Sequence, residues 1–333
     1  MSVTARQVRL ASRPVGFPDE STWELTTEEL GAPEDGRFIV EIDHVSIDPA
    51  MRGWLSDVRS YVPPVKIGAV MRAAATGTVI ESAHPDFPVG QRVRGTFGVT
   101  THAVSDGRGV DVIDLDVAPP ATWLGALGMP GMTAYFGLFD VGRLRDGETV
   151  VVSGAAGAVG SVVGQLAKAH GCRVIGIAGG PDKCAWLEEI GFDVAIDYKS
   201  TNVLKALRSA APEGIDVYFD NVGGDILDAA LANLRMHARV VLCGAIASYN
   251  DESLPPGPRR YMSLLVFRAS MTGFLVFDYE DRYAEGVAEI GRLIGSGDLV
   301  ARETIVEGGV EAFPEALLGI YRGINTGKLV LAL

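Results

Sequence analysis

The chain has little cysteine. Its 333 residues include three, namely Cys172, Cys184 and Cys243. The count is odd and no two form a Cys-x-x-Cys pair, so a disulfide framework is not expected and a reducing compartment is. Histidine is also sparse, with five in all. His44, His84, His102, His170 and His237 are scattered, and no His-Glu-x-x-His or clustered cysteine set offers zinc ligands. No Gly-x-Ser-x-Gly elbow occurs. Ser153 precedes a glycine loop and makes a poor nucleophile. Basic residues are the minority, 29 Lys and Arg against 42 Asp and Glu, for a net charge of −13. Such a chain repels nucleic acid and anionic membrane surfaces. No apolar run approaches the roughly 18 residues of a membrane span. Met1 to Leu10 lacks the apolar core of a signal peptide. The expectation is a cytoplasmic protein without metal, in which a bound cofactor carries the chemistry.

What is present is glycine, 41 residues of it, which suits tight turns and close backbone approach to a ligand. Length suggests two domains. Residues 1–125 read as β-rich. Phe38-Ile39-Val40-Glu41-Ile42, Gly77-Thr78-Val79-Ile80-Glu81 and Val89-Gly90-Gln91-Arg92-Val93 are short runs between turn signals. Leu124 to Leu138 is a candidate helix that Pro130 and Gly131 interrupt or start. From Thr149 strands alternate with helices. Val150-Val151-Val152, Arg173 to Ile177, Asp193 to Ile196, Asp216 to Asp220 and Arg239 to Leu242 are the strands. Ser161 to His170 and Lys183 to Ile190 are helical. That alternation implies a parallel sheet. From Val300 short strand signals return, ending in Gly327 to Leu331. The apolar runs Leu264 to Phe267 and Met271 to Phe277 read as core strand. The fold class is therefore α/β, with a dinucleotide-type domain over 126–299 inserted in a β-rich domain formed by 1–125 plus 300–333.

Gly154-Ala155-Ala156-Gly157-Ala158-Val159-Gly160 lies between a strand and a helix. A pyrophosphate has to approach backbone N–H groups there, and side chains would block it. The helix N-terminus adds partial positive charge. The strict Gly-x-Gly-x-x-Gly pattern is not met, because Ala155 replaces a glycine and a plain tight turn would read alike. The second strand ends in Ala178-Gly179-Gly180 with no carboxylate at its tip. NAD-preferring sites place an acid there, so its absence favours NADPH. Lys183 follows and can bind a phosphate as a point charge, or be a solvated helix residue. Tyr198 can donate a phenolic hydrogen bond to the same phosphate.

Ala155 to Ser161, Asp220-Asn221-Val222-Gly223-Gly224, Cys243 to Asn250, Met129 to Leu138, Asp48-Pro49, Met51-Arg52-Gly53 and Asn325 to Lys328 occur in this order. Together they resemble the medium-chain dehydrogenase/reductase superfamily. Within it they are most similar to the zinc-free leukotriene B4 12-hydroxydehydrogenase/prostaglandin reductase and alkenal/enone double-bond reductase branch. The resemblance implies a GroES-like β-domain and a Rossmann domain, with the active site in the cleft between. It implies that Gly157, Ala158, Val159 and Gly160 contact the pyrophosphate, and that Lys183 and Tyr198 hold the 2′-phosphate. Asn221, Cys243, Tyr249, Phe274, Leu275, Val276 and Asn325 would line the rest of the NADPH site. Ala50, Met129 and Tyr249 would face the substrate. Where the branch commonly has an aromatic between Pro49 and Met51, this chain has Ala50, which implies a differently shaped pocket.

The expected reaction is hydride transfer from NADPH to the β-carbon of an α,β-unsaturated ketone or aldehyde. Tyr249 is the candidate donor to the developing enolate oxygen; packing on the cofactor alone is its other reading. A quinone reductase of the same superfamily is the alternative activity, and an NADPH-binding sensor without turnover is the alternative of another class. The resemblance also implies a homodimer.

Overall fold

The computed structural model describes residues 2–333. The chain divides into two compact units, Met1–Leu124 with Glu303–Leu333, and Gly125–Arg302. The first unit opens with strands β1 (Val3–Leu10), β2 (Trp23–Leu30) and β3 (Phe38–Ser46), a short helix α1 (Met51–Trp54), then β4 (Ala75–Ser82), β5 (Arg92–Gly95), β6 (His102–Ser105) and β7 (Asp111–Val112). The second unit holds α2 (Met129–Phe136), β8 (Thr149–Ser153), α3 (Ala158–Ala169), β9 (Arg173–Ala178), α4 (Pro181–Glu189), β10 (Val194–Asp197), α5 (Val203–Ala210) and β11 (Ile215–Asp220). It continues with α6 (Gly224–Leu231), β12 (Leu234–Leu242), α7 (Met262–Phe267), β13 (Ser270–Gly273) and α8 (Tyr283–Ser296). The chain returns to the first unit through β14 (Glu303–Val306), α9 (Phe313–Arg322) and β15 (Lys328–Ala332).

In the first unit, β1 and β2 form an antiparallel ladder. A larger sheet runs β14-β15-β3-β4-β5-β7, with β6 also on β3. Phe38, Val40, Ile42, Val45, Val79, Val93 and Leu331 fill its core. Asp43 staples three strands. Its carboxylate takes a hydrogen bond from Thr76 Oγ1 on β4 at 2.7 Å and pairs with the Arg92 guanidinium on β5.

In the second unit, six strands run β10-β9-β8-β11-β12-β13, and each neighbouring pair is parallel. This is the doubly wound order of a Rossmann fold, reversing between β8 and β11. Val150, Val151, Val152, Val174, Ile175, Ile177, Val217 and Phe219 are fully buried, as strands covered on both faces must be. Pro130 falls in the first turn of α2 and Pro181 in that of α4. A proline there forfeits no helical hydrogen bond, so it starts a helix rather than breaking one.

The Leu264 to Phe267 run departs from the strand expectation. It lies in helix α7, with Leu265 69% and Val266 62% exposed. A short apolar run carries no period, so helix and strand cannot be separated from it. Of the second run, Ser270–Gly273 is strand and the chain turns helical again from Val276. The C-terminal segment holds a helix, α9, where only strand signals were read. It buries Phe313, Ala316 and Leu317 against the sheet of the first unit.

Candidate active site

Ligands of doubly wound sheets bind beyond the carboxyl ends of the strands, where the strand order reverses. Here that point lies between Ser153, ending β8, and Asp220, ending β11. Gly154 takes φ +57°, which a side chain resists. Gly157 caps α3 and offers no side chain to its N-terminus. The first-turn amides of Ala158, Val159 and Gly160 have no carbonyl four residues back to bond, and point out as an anion cradle. A methyl on Gly160 would lie 2.5 Å from Gly154 O and 2.8 Å from Ala155 Cα. The cradle therefore requires glycine at 160. The alanine at 155 is accommodated by its surroundings. Ala155 is fully buried, and Gly176 on β9 leaves it room, since a methyl there would come 3.0 Å from Ala155 Cβ.

Asp220 knits three loops together. It is 1% exposed. Its Oδ1 accepts hydrogen bonds from Ser153 Oγ (2.9 Å), Tyr218 OH (2.8 Å), Val222 N (3.1 Å) and Gly223 N (3.0 Å). Asn221 Nδ2 donates to Ser153 O at 2.7 Å. The loop after β12 is laced to the same segment, with Cys243 N and Gly244 N on Asp220 O and Ile246 N on Asn221 O. Burial, reinforced by the Asp220 charge, pushes the Cys243 thiol up to about 12. At neutral pH Cys243 is a thiol, not a nucleophile. Tyr249 ends this loop. Its hydroxyl accepts a hydrogen bond from Ala245 N at 3.2 Å, and a methyl on Gly244 would meet that oxygen at 2.8 Å. Gly244 thus admits the Tyr249 phenol beside the Asn221 loop.

The far end of the cradle is cationic. Asp197 Oδ1 accepts from Gly180 N at 2.8 Å and Lys199 N at 3.0 Å, joining the loops after β9 and β10. Gly179 lies under Tyr198 and Lys199, where a methyl would come 2.8 Å from the Tyr198 ring and 3.0 Å from Lys199 Cε. Lys183 stands in the first turn of α4, whose Gly180 cap supplies no side chain. Its ammonium is held below the usual lysine range, first by burial and then by the positive charge of Lys199. An anion with two negative charges relieves that repulsion, and a ribose phosphate matches it. The uncapped amides, the glycine cradle and the lysine pair fit NADPH.

Phe274 lies edge-on to Phe219, with ring centroids 6.5 Å apart. Leu275 follows, and buried Val276 accepts from Tyr283 OH at 3.1 Å. Met129 is the first residue of α2. All these residues belong to the second unit. Ala50 and Asn325 belong to the first. Ala50 precedes α1 and packs against the core. Asn325 is buried, and its Nδ2 donates to Gly327 O at 2.7 Å. Among the described residues no group of three or more His, Cys, Asp or Glu side chains could hold a metal ion.

The sequence reading gave no role to Lys199, Asp197 or Asp220. Lys199 was accessible to it, as a second cation directly after Tyr198. The two aspartates were not, because the bonds that join loops, Ser153 Oγ to Asp220 and Gly180 N to Asp197, span 67 and 17 residues.

Residues 6–113 match the family model of the N-terminal domain of oxidoreductase, and 158–291 match that of zinc-binding dehydrogenase. The chain is 41% identical to the NADPH-dependent curcumin reductase of Escherichia coli over 330 residues, covering 97% of this chain and 95% of that protein. It is 39% identical to prostaglandin reductase 1 of Bos taurus, covering 99% of both. The crystal structure of CurA from Vibrio vulnificus in complex with NADPH superposes with a TM-score of 0.93 at 42% identity, covering 98% of both chains. With matches of that identity running end to end, the chain belongs to the medium-chain dehydrogenase/reductase superfamily, in the branch of the prostaglandin and curcumin reductases.

Proposed function

We propose that this chain is an NADPH-dependent reductase that saturates the carbon–carbon double bond of α,β-unsaturated ketones and aldehydes. The observation that carries the reading is the dinucleotide cradle whose far end gathers Lys183 and Lys199, with β9 ending in Gly179 and Gly180 rather than an acid. It stands in a chain related over its whole length to enone-type reductases.

NADPH held here would supply the hydride that the β-carbon of the substrate takes up. The amides of Ala158, Val159 and Gly160 hold the pyrophosphate at the N-terminus of α3. Lys183 and Tyr198 hold the 2′-phosphate, and Lys199 adds a second positive charge. Asn221, Cys243, Tyr249, Phe274, Leu275, Val276 and Asn325 line the remainder of the cofactor site. Ala50, Met129 and Tyr249 face the substrate. Negative charge develops on the carbonyl oxygen as the β-carbon is reduced. Tyr249 donates its hydroxyl proton to that oxygen as a hydrogen bond, lowering the barrier. Water would supply the proton that the α-carbon takes up, leaving hydroxide.

Two copies form a homodimer. Met262, Leu265 and Val266 on α7, with Tyr261 at its N-cap, expose apolar surface, and the next strand, β13, is a sheet edge. A covered edge and a buried apolar helix face are what such pairing would supply. Three free cysteines, and no helix among the described residues long and apolar enough to cross a membrane, agree with a cytoplasmic site of action.

Incubation with NADPH deuterated at the transferable position tests the function. Deuterium at the β-carbon of the saturated ketone is the expected result. Deuterium on a carbinol carbon would mean carbonyl reduction instead.

A further inference from the structure

The turn that carries Ala50 is held by four separate devices, all within the first unit. Lys328 Nζ, on β15, donates to Ile47 O at 2.6 Å and to Asp48 Oδ1 at 2.8 Å. Ser46 Oγ donates to the other Asp48 oxygen. Lys328 is 2% exposed and Asp48 8%. Burying such a pair is costly, so it is weak evidence for stability and stronger evidence for a required geometry. The third device is Tyr321 near the end of α9, whose hydroxyl donates to Pro49 O at 3.0 Å. The fourth is Arg52, 5% exposed, which donates through Nε to Gly16 O at 2.8 Å and through Nη2 to Pro14 O at 3.3 Å.

The last two devices converge on one aromatic pair. Phe17 follows the segment that Arg52 grips. Its ring stands edge-on to the Tyr321 ring, centroids 6.2 Å apart at 74°. Phe17 is 57% exposed. One side of the ring packs on Tyr321 and the rest stays open to solvent, where it can offer apolar surface to a ligand. A buried guanidinium positions the loop before it, so the ring is not simply loose. The bond from Tyr321 to Pro49 fixes the phenol ring and directs its proton to the backbone. Tyr321 therefore acts as a surface rather than as an acid. Beside them Ala50 is only partly buried and contributes no more than a methyl to the turn.

We propose that Phe17 and Tyr321 are specificity-determining residues that form a flat aromatic wall beside Ala50 and favour enones bearing an aryl ring over small aliphatic ones. The inference rests on Ala50 facing the substrate, as in the function proposed above. Aromatic pairing contributes beyond simple area burial, which corresponds to roughly three- to tenfold in affinity for a single good contact.

The test compares benzylideneacetone with ethylideneacetone, which carries a methyl in place of the phenyl. Steady-state kcat and KM are measured for the parent enzyme, Phe17→Ala and Tyr321→Leu, with NADPH affinity measured by fluorescence titration. The expected result is that both variants raise KM for benzylideneacetone roughly three- to tenfold. In Phe17→Ala, ethylideneacetone kinetics and NADPH affinity should stay within about twofold. Tyr321→Leu also removes the bond to Pro49 O, so Phe17→Ala, at an exposed position, decides between the outcomes. A parallel loss on both enones, or no loss on either, overturns the wall while leaving the reductase reading intact. A parent enzyme that binds NADPH and reduces neither enone overturns both.

Discussion

The Tyr249 hydroxyl accepts a hydrogen bond from the Ala245 amide at 3.2 Å. That bond uses an oxygen lone pair and not the phenolic proton. The bond fixes that oxygen on the loop after β12, and the function proposed above makes it the donor to the developing enolate. Tyr249→Phe should therefore lower kcat by about a hundredfold, the scale of losing one oxyanion donor. NADPH affinity, read by fluorescence titration, should hardly change. Unchanged kcat would leave Tyr249 as packing only.

The lysine pair makes a separate prediction about cofactor choice. Lys183→Ala and Lys199→Ala should each weaken NADPH binding by about tenfold, the scale of a charge-assisted contact. NADH binding should be unaffected. Titration calorimetry of both cofactors on both variants measures this, and equal weakening of NADH and NADPH would count against the phosphate role.

Gly160 tests the cradle itself. The methyl of Gly160→Ala would meet backbone at 2.5 and 2.8 Å, and backbone yields less readily than a side-chain tip. A stability loss of about 1–3 kcal/mol is expected from such overpacking. A lower Tm with weakened NADPH binding is the predicted pair of readouts.

Asp43 links acid stability to the first unit. Burial raises its carboxyl pKa, but hydrogen bonds with His44 and Thr76 and the Arg92 charge outweigh burial and bring it from 3.8 down to about 2. A carboxyl depressed on folding stabilises the native state above its unfolded pKa. That contribution is lost as pH falls from 3.8 through about 2. Because Asp43 is partly solvent-screened, its contribution is on the order of 1–2 kcal/mol. Asp43→Asn should flatten the acid limb of the urea-denaturation profile in that window. An unchanged slope would contradict the assignment.

Pairing through α7 predicts twice the monomer mass by light scattering. Leu265→Glu with Val266→Lys should return the monomer mass, with secondary structure unchanged by circular dichroism.

Much of the second unit could be read from sequence because its signals are local. Val150 to Val152 followed by Gly154 to Gly160 announces strand, turn and helix within a dozen residues or so. The tip at Gly179 and Gly180 is equally local. What escaped was long-range or unpatterned. Leu264 to Phe267 carries no period, and its exposure on α7 depends on what covers it. The Asp220 hub joins residues 67 apart in the chain, and the Tyr321–Pro49 bond joins residues 272 apart. Neither spacing leaves a mark in sequence. Ala155 departs from the fingerprint in sequence, and only the fold shows that it is buried beside Gly176 on the neighbouring strand.

The most direct test of the central claim is NADPH consumption with an enone acceptor, run beside NADH and a quinone, with the product identified by mass spectrometry. The account predicts rapid NADPH oxidation, a slower rate with NADH, and a saturated ketone two hydrogens heavier than the enone. An enzyme that oxidises NADPH with the quinone alone, or with no acceptor, would contradict it.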